Sequence, residues 1–516
     1  MNGLTPRQVV DGERRARQKR QAWETHWAEC YAFALPQRGG DFSGAAPGGK
    51  RTDKLYDATA SDAVDQLAAS LLARLTPPWA RWFGLIAGPD ATPEERDLLA
   101  PVIERAGEVL KSHFDRSNFA VEVHQCYLDL VTAGTACLLM EEAEPGAASA
   151  LTFTAVPLGQ VALDEGPSGR LDVTYRKSAL TAERIAARFP GAVLPPSLLE
   201  TSRSQPDATH NVIEAVVPEN GTYTYLAVLE ADGGATGEPV VLKQGRFSAS
   251  PFINFRWLKA PGEVYGRSPV MKVLPDIKTA NKVVELTLKN ASIAVTGIWQ
   301  ADDDGVLNPA AIKLVPGTII PKAVGSSGLT PLSTPTRFDV SGLVLDDLRQ
   351  TIRRALLADK LGMVDAPKMT ATEVLERAAE MARLLGATYG RLQSELLTPL
   401  VLRGLNILVR RGEIEGLEVD GKLVDLQYSS PLARQQTQQE AAAALQWIEG
   451  LALLGPEAEA VLDKTAAARW LARSHGVPEE LLRPAGEDPA AELGQLLETG
   501  VEALAQTVTD EQGDPP

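Results

Sequence analysis

The chain has 516 residues, of which 51 are Lys or Arg and 67 are Asp or Glu, so its net charge at pH 7 is −16. Its length predicts two to four domains, and its 44% of apolar residues is typical of a folded globular protein. The acidic excess argues against a protein that wraps nucleic acid on a basic face, because such a face needs Lys and Arg to neutralise phosphates. It is compatible with a wall that repels DNA and lets it slide past.

The cysteines and the terminal sequence indicate a protein made in the cytoplasm. Cys30, Cys126 and Cys137 include no C-x-x-C pair, so we expect buried, reduced residues rather than a disulfide framework. No apolar run reaches the ~18 residues that cross a bilayer, and the polar, basic start lacks a signal-peptide core. We therefore expect no membrane partner.

The first half of the chain reads as helices followed by short strands. Helical spacing of aromatic residues predicts a first helix that ends at Pro36, a Gly-rich basic loop over 37–54, and a helix from about Ala58 to Leu75. Residues 94–140 look mostly helical, and a strand begins near Thr135. Strands are then predicted at Leu151–Val156, Leu171–Arg176, Asn211–Val217, Thr222–Leu229, Val240–Leu242 and Phe252–Phe255, with a helix at Thr181–Arg188. This mixture predicts the α+β class.

Two helices of similar length follow, with a small module between them. Residues 269–295 are apolar on more than one side, and Pro275 suits a first-turn position. Residues 342–361 are amphipathic, with a charged polar face. The intervening residues 296–340 contain short β and turn segments. The pattern is that of a hairpin-like stalk with a tip.

The last part of the chain is again mainly helical. After a break at 362–369, Thr370 and Glu373 form a capping box that predicts a long helix to about Arg411. Bends in this helix are expected at Gly386, Gly390 and Pro399. The remaining predictions are a strand at Leu423–Tyr428, helices at about Leu432–Leu454 and Pro456–His475, and an acidic tail from Pro484.

No group of residues predicts catalysis or a cofactor. The spacing from Gly44 to Gly49-Lys50 matches the start of a Walker A motif, but Arg51 stands where Ser or Thr must coordinate magnesium. The five histidines are scattered, and Asp302–Gly305 lacks the rest of a calcium-binding EF-hand loop. We therefore predict no catalytic residue, no cofactor and no metal site, and a protein that is not an enzyme.

Several short motifs carry a resemblance to a known family. They are Lys50-Arg51-Thr52 with Leu55–Ala60, Leu75–Trp79 with Arg81-Trp82-Phe83, Val264–Pro269, Lys368–Val374 and Arg391–Leu397. The motifs keep the family's order and cover most of residues 10–440. On this set the chain resembles the podovirus-type phage head-to-tail connecting (portal) proteins.

The resemblance implies a portal-type α+β fold with an α/β wing, a two-helix stem, a small β-rich clip, a long kinked helix and a helical C-terminal crown. The implied map is 1–268 wing, 269–295 first stem helix, 296–340 clip, 341–361 second stem helix, 362–369 tunnel loop, 370–430 long helix and wing, and 431–516 crown and tail. It also implies a homo-oligomeric ring of about twelve copies at one capsid vertex of the virion. Double-stranded DNA would pass non-specifically through its channel during packaging and ejection.

The same resemblance implies partners and site residues. The terminase and then the tail adaptor would dock on the clip, and the major capsid and scaffold proteins would surround the ring, after synthesis in the host cytoplasm. The channel-lining candidates are Arg349, Arg353, Arg354 and Lys368, and the docking candidates are Trp299, Lys313 and Lys322. In the alternative interpretation the arginines pair with Asp346, Asp347 or a neighbouring subunit's carboxylates, and Trp299 is a core residue.

Two other functions remain open at this point. The chain could be a different virion component, such as a scaffold or shell protein, although a stalk with a tip does not suit a shell. It could also be a DNA-processing enzyme, such as a nuclease or ATPase, which would require a metal-carboxylate cluster or a complete phosphate loop. Neither is visible in the sequence.

Overall fold

The computed structural model divides the chain into two compact units. The main unit comprises Met1–Ala80 and Glu108–Gly416, and the second unit comprises Arg81–Gly107 and Leu417–Pro516. The residues that the structure describes are 4–43, 46, 48–78, 81–88, 90–166, 169–230, 238–296, 299–300, 330–331, 338–358, 385–415, 424–427, 441–451 and 462–475.

Helices carry most of the described chain. Those of seven or more residues are α1 (Pro6–Ala34), α2 (Thr59–Leu75), α3 (Pro93–Arg116), α4 (Phe119–Ala133), α5 (Ala182–Arg188), α6 (Pro196–Ser204), α7 (Pro269–Thr296), α8 (Phe338–Ala355), α9 (385–392), α10 (Thr398–Arg411), α11 (441–451) and α12 (Lys464–His475). A π-helical turn, Gln393–Leu397, joins α9 to α10. A short helix, Gly40–Ser43, lies between α1 and α2.

The strands form small antiparallel sheets. They are β1 (Gly84–Ala87), β2 (Thr135–Glu142), β3 (Leu151–Val156), β4 (Val161–Asp164), β5 (Val173–Thr181), β6 (Thr209–Glu219), β7 (Thr222–Leu229), β8 (Val240–Phe247), β9 (Phe252–Arg256), β10 (Trp299–Gln300), β11 (Thr330–Pro331) and β12 (Val424–Gln427). In the main unit, the order β4-β5-β6-β7-β8 forms a meander, and β2 lies between β3 and β9 in a three-stranded sheet. The mixture of helices and sheets confirms the α+β class.

Helix α1 covers one face of the meander. Its N-terminus is a capping box, in which the Thr5 side chain accepts from the Gln8 N–H and the Gln8 side chain accepts from the Thr5 N–H. Gly12 faces the Tyr175 ring so closely that a β-carbon there would overlap the phenol, which explains a glycine in a helix interior. The core beneath the helix contains Val9, Ala16, Ala162, Tyr175, Ile213, Ala215, Leu226 and Val228.

Many of the predicted elements are confirmed, and some are corrected. The first helix ends at Ala34, and strand Leu151–Val156 has the predicted bounds. Pro275 does not start a helix, because α7 begins at Pro269 and contains it. The helix predicted over 342–361 ends at Ala355, since Leu357 has a left-handed backbone with φ of 57°. Strand β4 and helix α6 were not predicted.

The described end of the predicted long helix and the cysteines agree with the sequence, whereas the predicted capping box at Thr370 and Glu373 lies outside the described residues. The predicted end at Arg411 is confirmed, with Gly412 in the left-handed conformation that closes a helix. The predicted bend near Pro399 coincides with the π-helical turn just before it, where the Thr398 hydroxyl donates to the Gln393 carbonyl. All three cysteines are free and buried.

The second unit joins two distant parts of the chain. Strand β1 pairs with β12, so that Gly84 lies opposite Gln427 and Ala87 opposite Val424. The predicted strand at 423–428 is confirmed by β12. Trp82 and Phe83 of this unit are buried, with ring centroids 4.7 Å apart.

Candidate functional site

The start of α7 is fixed by the segment Val264–Pro269. Gly266 and Gly134 lie backbone to backbone, and a β-carbon on either would overlap the other residue. The Gly266 N–H donates to the Thr135 hydroxyl at 2.8 Å, and the Ser268 hydroxyl donates to the Thr132 carbonyl at 2.8 Å. The Met271 N–H donates in turn to Ser268, which caps the helix. This motif therefore anchors α7 to the end of α4 and the start of β2.

Tyr265 gives the same segment an aromatic anchor. Its hydroxyl accepts from the Leu163 N–H at 3.0 Å, and its ring lies edge-on to Trp27 with centroids 5.0 Å apart. Burial raises the pKa of Tyr265 to about 12, so the phenol is neutral at physiological pH.

A second anchor connects both long helices to one short segment, residues 54–57. On α7, the Asn281 side chain accepts from the Tyr56 and Asp57 N–H groups at 2.6 and 3.1 Å and donates to the Lys54 carbonyl at 2.8 Å. On α8, Arg349 donates to the Asp57 carboxylate through Nε and Nη2 at 2.9 and 2.8 Å. We call this group of contacts the hairpin joint.

The electrostatics of the hairpin joint favour an ionised Asp57. Burial raises the pKa of this carboxyl, but hydrogen bonds from Thr59 and Arg349 outweigh burial and hold the pKa below its ordinary value of 3.8. The Asp57 side chain is 4% exposed and that of Arg349 is 36% exposed. The carboxylate is therefore the buried partner, and the arginine reaches it from the solvent side.

A third anchor is a buried arginine, Arg256 at the end of β9. Its Nη2 donates to Glu395 at 2.7 Å and its Nη1 to Glu165 at 2.8 Å, while its backbone N–H donates to Glu395 at 2.9 Å. A further Nη1 bond reaches the Val264 carbonyl at 2.9 Å. This group, called here the Arg256 cluster, connects the π-helical turn to the segment that starts α7.

The channel-lining candidates are in different surroundings. Arg349 is engaged by Asp57, which neither sequence interpretation named as its partner. Arg353 and Arg354 are exposed on α8 and form no ion pair with any residue that the structure describes. Lys368 lies outside the described residues.

Two of the three docking candidates lie outside the described residues. Trp299 lies in β10, opposite Pro331 of β11, in a two-stranded sheet. Lys313 and Lys322, like Asp302–Gly305, are outside the described residues.

The described residues contain no arrangement that suggests catalysis. No group of three or more His, Cys, Asp or Glu side chains among them is placed to hold a metal ion. His113 accepts at Nδ1 from the Ala150 N–H and donates from Nε2 to the Glu413 carboxylate at 2.6 Å. Ser149 lies nearby, but its hydroxyl donates to the His113 carbonyl at 2.8 Å. Its proton is therefore not directed at the imidazole, as a nucleophile would require. None of the described helices is long and apolar enough to cross a membrane.

Sequence reasoning missed the residues that connect the elements. Asp57 and Glu395 lie inside the motifs that carry the family resemblance, but the sequence does not predict their contacts, and it does not distinguish Asn281 from other polar residues. The available signal was a polar residue on an otherwise apolar helix face, since Asn281 follows Ile277 and Ala280 on the buried side of α7.

Comparison with known proteins agrees with this architecture. Residues 12–482 match the family model described as bacteriophage head to tail connecting protein. A probable portal protein of Bordetella phage BPP-1 is 24% identical over 95% of this chain and 93% of its own length. A portal protein of Salmonella phage epsilon15 is 25% identical over 96% of this chain and 94% of its own.

A solved virion of a native gene transfer agent particle contains a chain that aligns with 86% of this one at 13% identity, but its TM-score of 0.35 is too low to support an argument. The family match is independent of that likeness and spans the meander, the hairpin joint and the Arg256 cluster. The chain belongs to the family of bacteriophage head to tail connecting proteins.

Proposed function

We propose that this chain is a portal subunit, and that copies of it form the ring through which double-stranded DNA enters and leaves the capsid of a short-tailed phage. The observation that carries the proposal is the family match over residues 12–482. The relatives from phages BPP-1 and epsilon15 align over 93% and 94% of their own lengths, so the similarity is not limited to one domain. A head-to-tail connector is a structural protein, in agreement with the prediction that the chain is not an enzyme.

The hairpin of α7 and α8 is proposed as the stem of the ring. The two helices pack together, and the hairpin joint holds both of them to the body of the main unit. A channel wall needs such fixed attachment, because a helix pair that swings freely would not keep a constant bore. The wing, clip, tunnel loop and crown keep the boundaries expected from the sequence as part of this proposal.

Charge supports passage without adhesion. About twelve chains of net charge −16 would carry roughly −190 in total, so the ring as a whole repels DNA. A few cations on the channel wall would then modulate passage. Since Arg349 is paired with Asp57, this role is proposed for the exposed Arg353 and Arg354 and for Lys368.

The proposed partners follow from the position at the capsid vertex. The terminase and later the tail adaptor are expected to dock on the clip, with Trp299, Lys313 and Lys322 as candidates for contact. The major capsid and scaffold proteins would contact the outer body. No second function is favoured by a specific observation.

Electron microscopy in negative stain, combined with mass photometry, tests the proposal on the full-length chain. The expected particles are rings with a central hole and a mass near twelve times the 55.2 kDa of one chain. If the purified chain is monomeric, the same measurement is made on the chain co-expressed with its scaffold protein, and it then decides whether rings form. Closed shells would favour a shell protein, and a compact dimer would contradict the proposal.

The tunnel-loop role of Lys368 needs a separate test. Lys368→Glu should leave ring assembly intact and change the length of DNA that is packaged or retained, because it adds repulsion inside the channel. A DNA length identical to that of wild type would count against this role.

A further inference from the structure

The hairpin joint marks one position along each of the two helices, and these two positions lie at the same level because both bond to one short segment. Asn281 on α7 and Arg349 on α8 both bond to residues 54–57. The buried residues of α7 lie at or before this level, whereas Ile352 of α8 and Leu356 lie after it. The direction away from the buried core, called outward here, therefore runs toward the C-terminus of α7 and the N-terminus of α8. Residues of the two helices can be matched by their distance from the level, at ~1.5 Å per residue.

Beyond the joint, the hairpin leaves apolar side chains uncovered. Leu286 lies five residues outward on α7 and is 48% exposed, and Leu343 lies six residues outward on α8 and is 77% exposed. Leu288 and Val344 next to them are exposed as well. Exposed apolar residues that gather at one end of an element indicate a contact surface.

The charges at this end are unequal on the two helices. On α7, Lys282 and Lys289 both pair with a single carboxylate, Glu285, at 2.9 and 2.6 Å, which leaves a surplus of positive charge. On α8, Asp346 and Asp347 are exposed and make no ion pair within the part of the chain that the structure describes. Among the described residues, the basic helix surface and the acidic one therefore lack sufficient partners of opposite charge.

Each set of residues forms a stripe on one face of its helix. Lys282, Leu286 and Lys289 are spaced i, i+4 and i+7, so they share one face of α7. Leu343, Asp346 and Asp347 are spaced i, i+3 and i+4 and share one face of α8. Lys282 is one residue outward of the joint and Asp347 is two. Lys282 is therefore level with Asp346 and Asp347, and Leu286 is level with Leu343. Lys289 lies eight residues outward, beyond both aspartates.

We infer that the partner of this surface is a second copy of the chain, with the α8 stripe of one copy bound to the α7 stripe of the next. The inference rests on the proposed ring. In a ring with rotational symmetry, each contact joins two different faces of neighbouring copies, and residues at one height stay at that height. Lys282 of one copy then meets Asp346 and Asp347 of the next, beside the Leu286–Leu343 contact, and both stripes of every copy are occupied.

Charge reversal tests the inference on the full-length chain. Two variants are compared, one carrying Lys282→Glu with Lys289→Glu and the other carrying Asp346→Lys with Asp347→Lys. Each should lose ring assembly, because like charges then face each other in every interface. A third variant that combines all four changes should recover rings, since opposite charges are restored at each contact. Lys272→Glu, an exposed lysine at the other end of α7, is the control and should assemble normally.

Mixing gives a result that a folding defect cannot produce. Each single-stripe variant alone has only repulsive contacts, but the two together can alternate around a ring, with one native contact and one reversed contact per pair. Mass photometry should therefore detect rings only in the mixture. Circular dichroism and thermal unfolding of each variant establish that the chains are folded.

A covalent test addresses the leucine contact. Because Cys30, Cys126 and Cys137 are all buried, introduced cysteines would be the accessible thiols among the described residues. Leu286→Cys combined with Leu343→Cys should give a ladder of covalent oligomers when rings are oxidised, since a disulfide requires Cα atoms within ~7 Å. Each single variant should give at most dimers.

The outcomes separate this inference from the proposed function. If the wild type forms rings and the charge-reversed variants form them too, the stripe contact is wrong and the portal proposal stands. The same holds if the wild type forms rings but the cysteine variant gives no covalent ladder. Wild-type shells or compact dimers would contradict the portal proposal itself. The contact is established if each reversed variant loses rings and if rings return both in the fourfold variant and in the mixture.

Discussion

The hairpin joint and the outer half of the hairpin, which is the part beyond the joint, differ in how their charged side chains are paired. At the joint, Asp57 pairs with Arg349 of the same chain, and elsewhere in the main unit Arg256 pairs with Glu395 and Glu165. Beyond the joint, Asp346 and Asp347 are exposed and unpaired among the described residues. Charges that are paired and buried within the chain contribute to folding, whereas exposed charges without a described partner remain accessible to other molecules.

This difference has consequences for stability. Breaking a buried ion pair is costly because the remaining charge has no compensation, while exposed charges contribute little to the free energy of unfolding. Substitutions near the joint should therefore destabilise the single chain. Substitutions in the outer half should act on assembly or on DNA and leave the fold unchanged.

The largest effect is expected at the Arg256 cluster. Arg256→Ala should lower the free energy of unfolding by about 3–5 kcal/mol, because it leaves Glu395 and Glu165 without their buried partner. Urea denaturation followed by circular dichroism measures the change. Arg267→Ala is the matched control, since Arg267 is 44% exposed in its pair with Glu263 and should cost below about 1 kcal/mol. Equal losses in the two variants would contradict the contrast between buried and exposed pairs.

A smaller loss is expected at the hairpin joint itself. Asp57→Asn removes the charge that Arg349 binds and should cost about 1–3 kcal/mol, less than at Arg256 because Arg349 is partly exposed to solvent. The double variant with Arg349→Gln should be less than additive, as expected for two residues in contact. Asp53→Asn, at an exposed pair with Lys50, serves as the control. Additive losses would show that the Asp57–Arg349 contact contributes nothing.

The same pair should give a defined pH dependence. The pKa of Asp57 is lowered in the folded chain, so its contribution is fully present above its ordinary value of 3.8 and is lost as pH falls through the folded pKa. The stability difference between wild type and Asp57→Asn should stay constant from pH 7 to about 5 and shrink below about 4. Urea denaturation across this range measures it. A difference that grows on acidification would reverse the assigned direction of the pKa shift.

The sequence predicts elements better than it predicts the contacts between them. Apolar spacing located α1 and strand Leu151–Val156, because each places one face on a core. It could not predict that β1 pairs with β12, whose residues lie more than three hundred positions away. Local pattern carries information on which face is buried and none on which distant segment covers it.

The candidate site shows the same limit. Its helices were predicted, but Arg349 was assigned to the channel because a charged helix face looks the same whether its partner is DNA, solvent or a distant loop. The partner Asp57 is 292 positions away and could be found only from the folded chain. The prediction that Pro275 lies in a first helical turn was wrong for a related reason. A proline within α7 is tolerated with the loss of one backbone hydrogen bond, and periodicity alone does not reveal where a helix starts.

The smallest effect on the fold is expected for Arg353 and Arg354. Each is exposed, so Arg353→Gln or Arg354→Gln should change the free energy of unfolding by no more than about 0.5 kcal/mol. If these arginines line the channel, the double variant should still assemble into rings and should alter the amount of DNA retained in filled particles, because two cations per copy are lost from the wall. A loss above about 1 kcal/mol would instead indicate that they have partners in their own chain, as Arg349 has. Normal stability together with normal DNA retention would remove them from the channel wall and leave Lys368 as the remaining candidate.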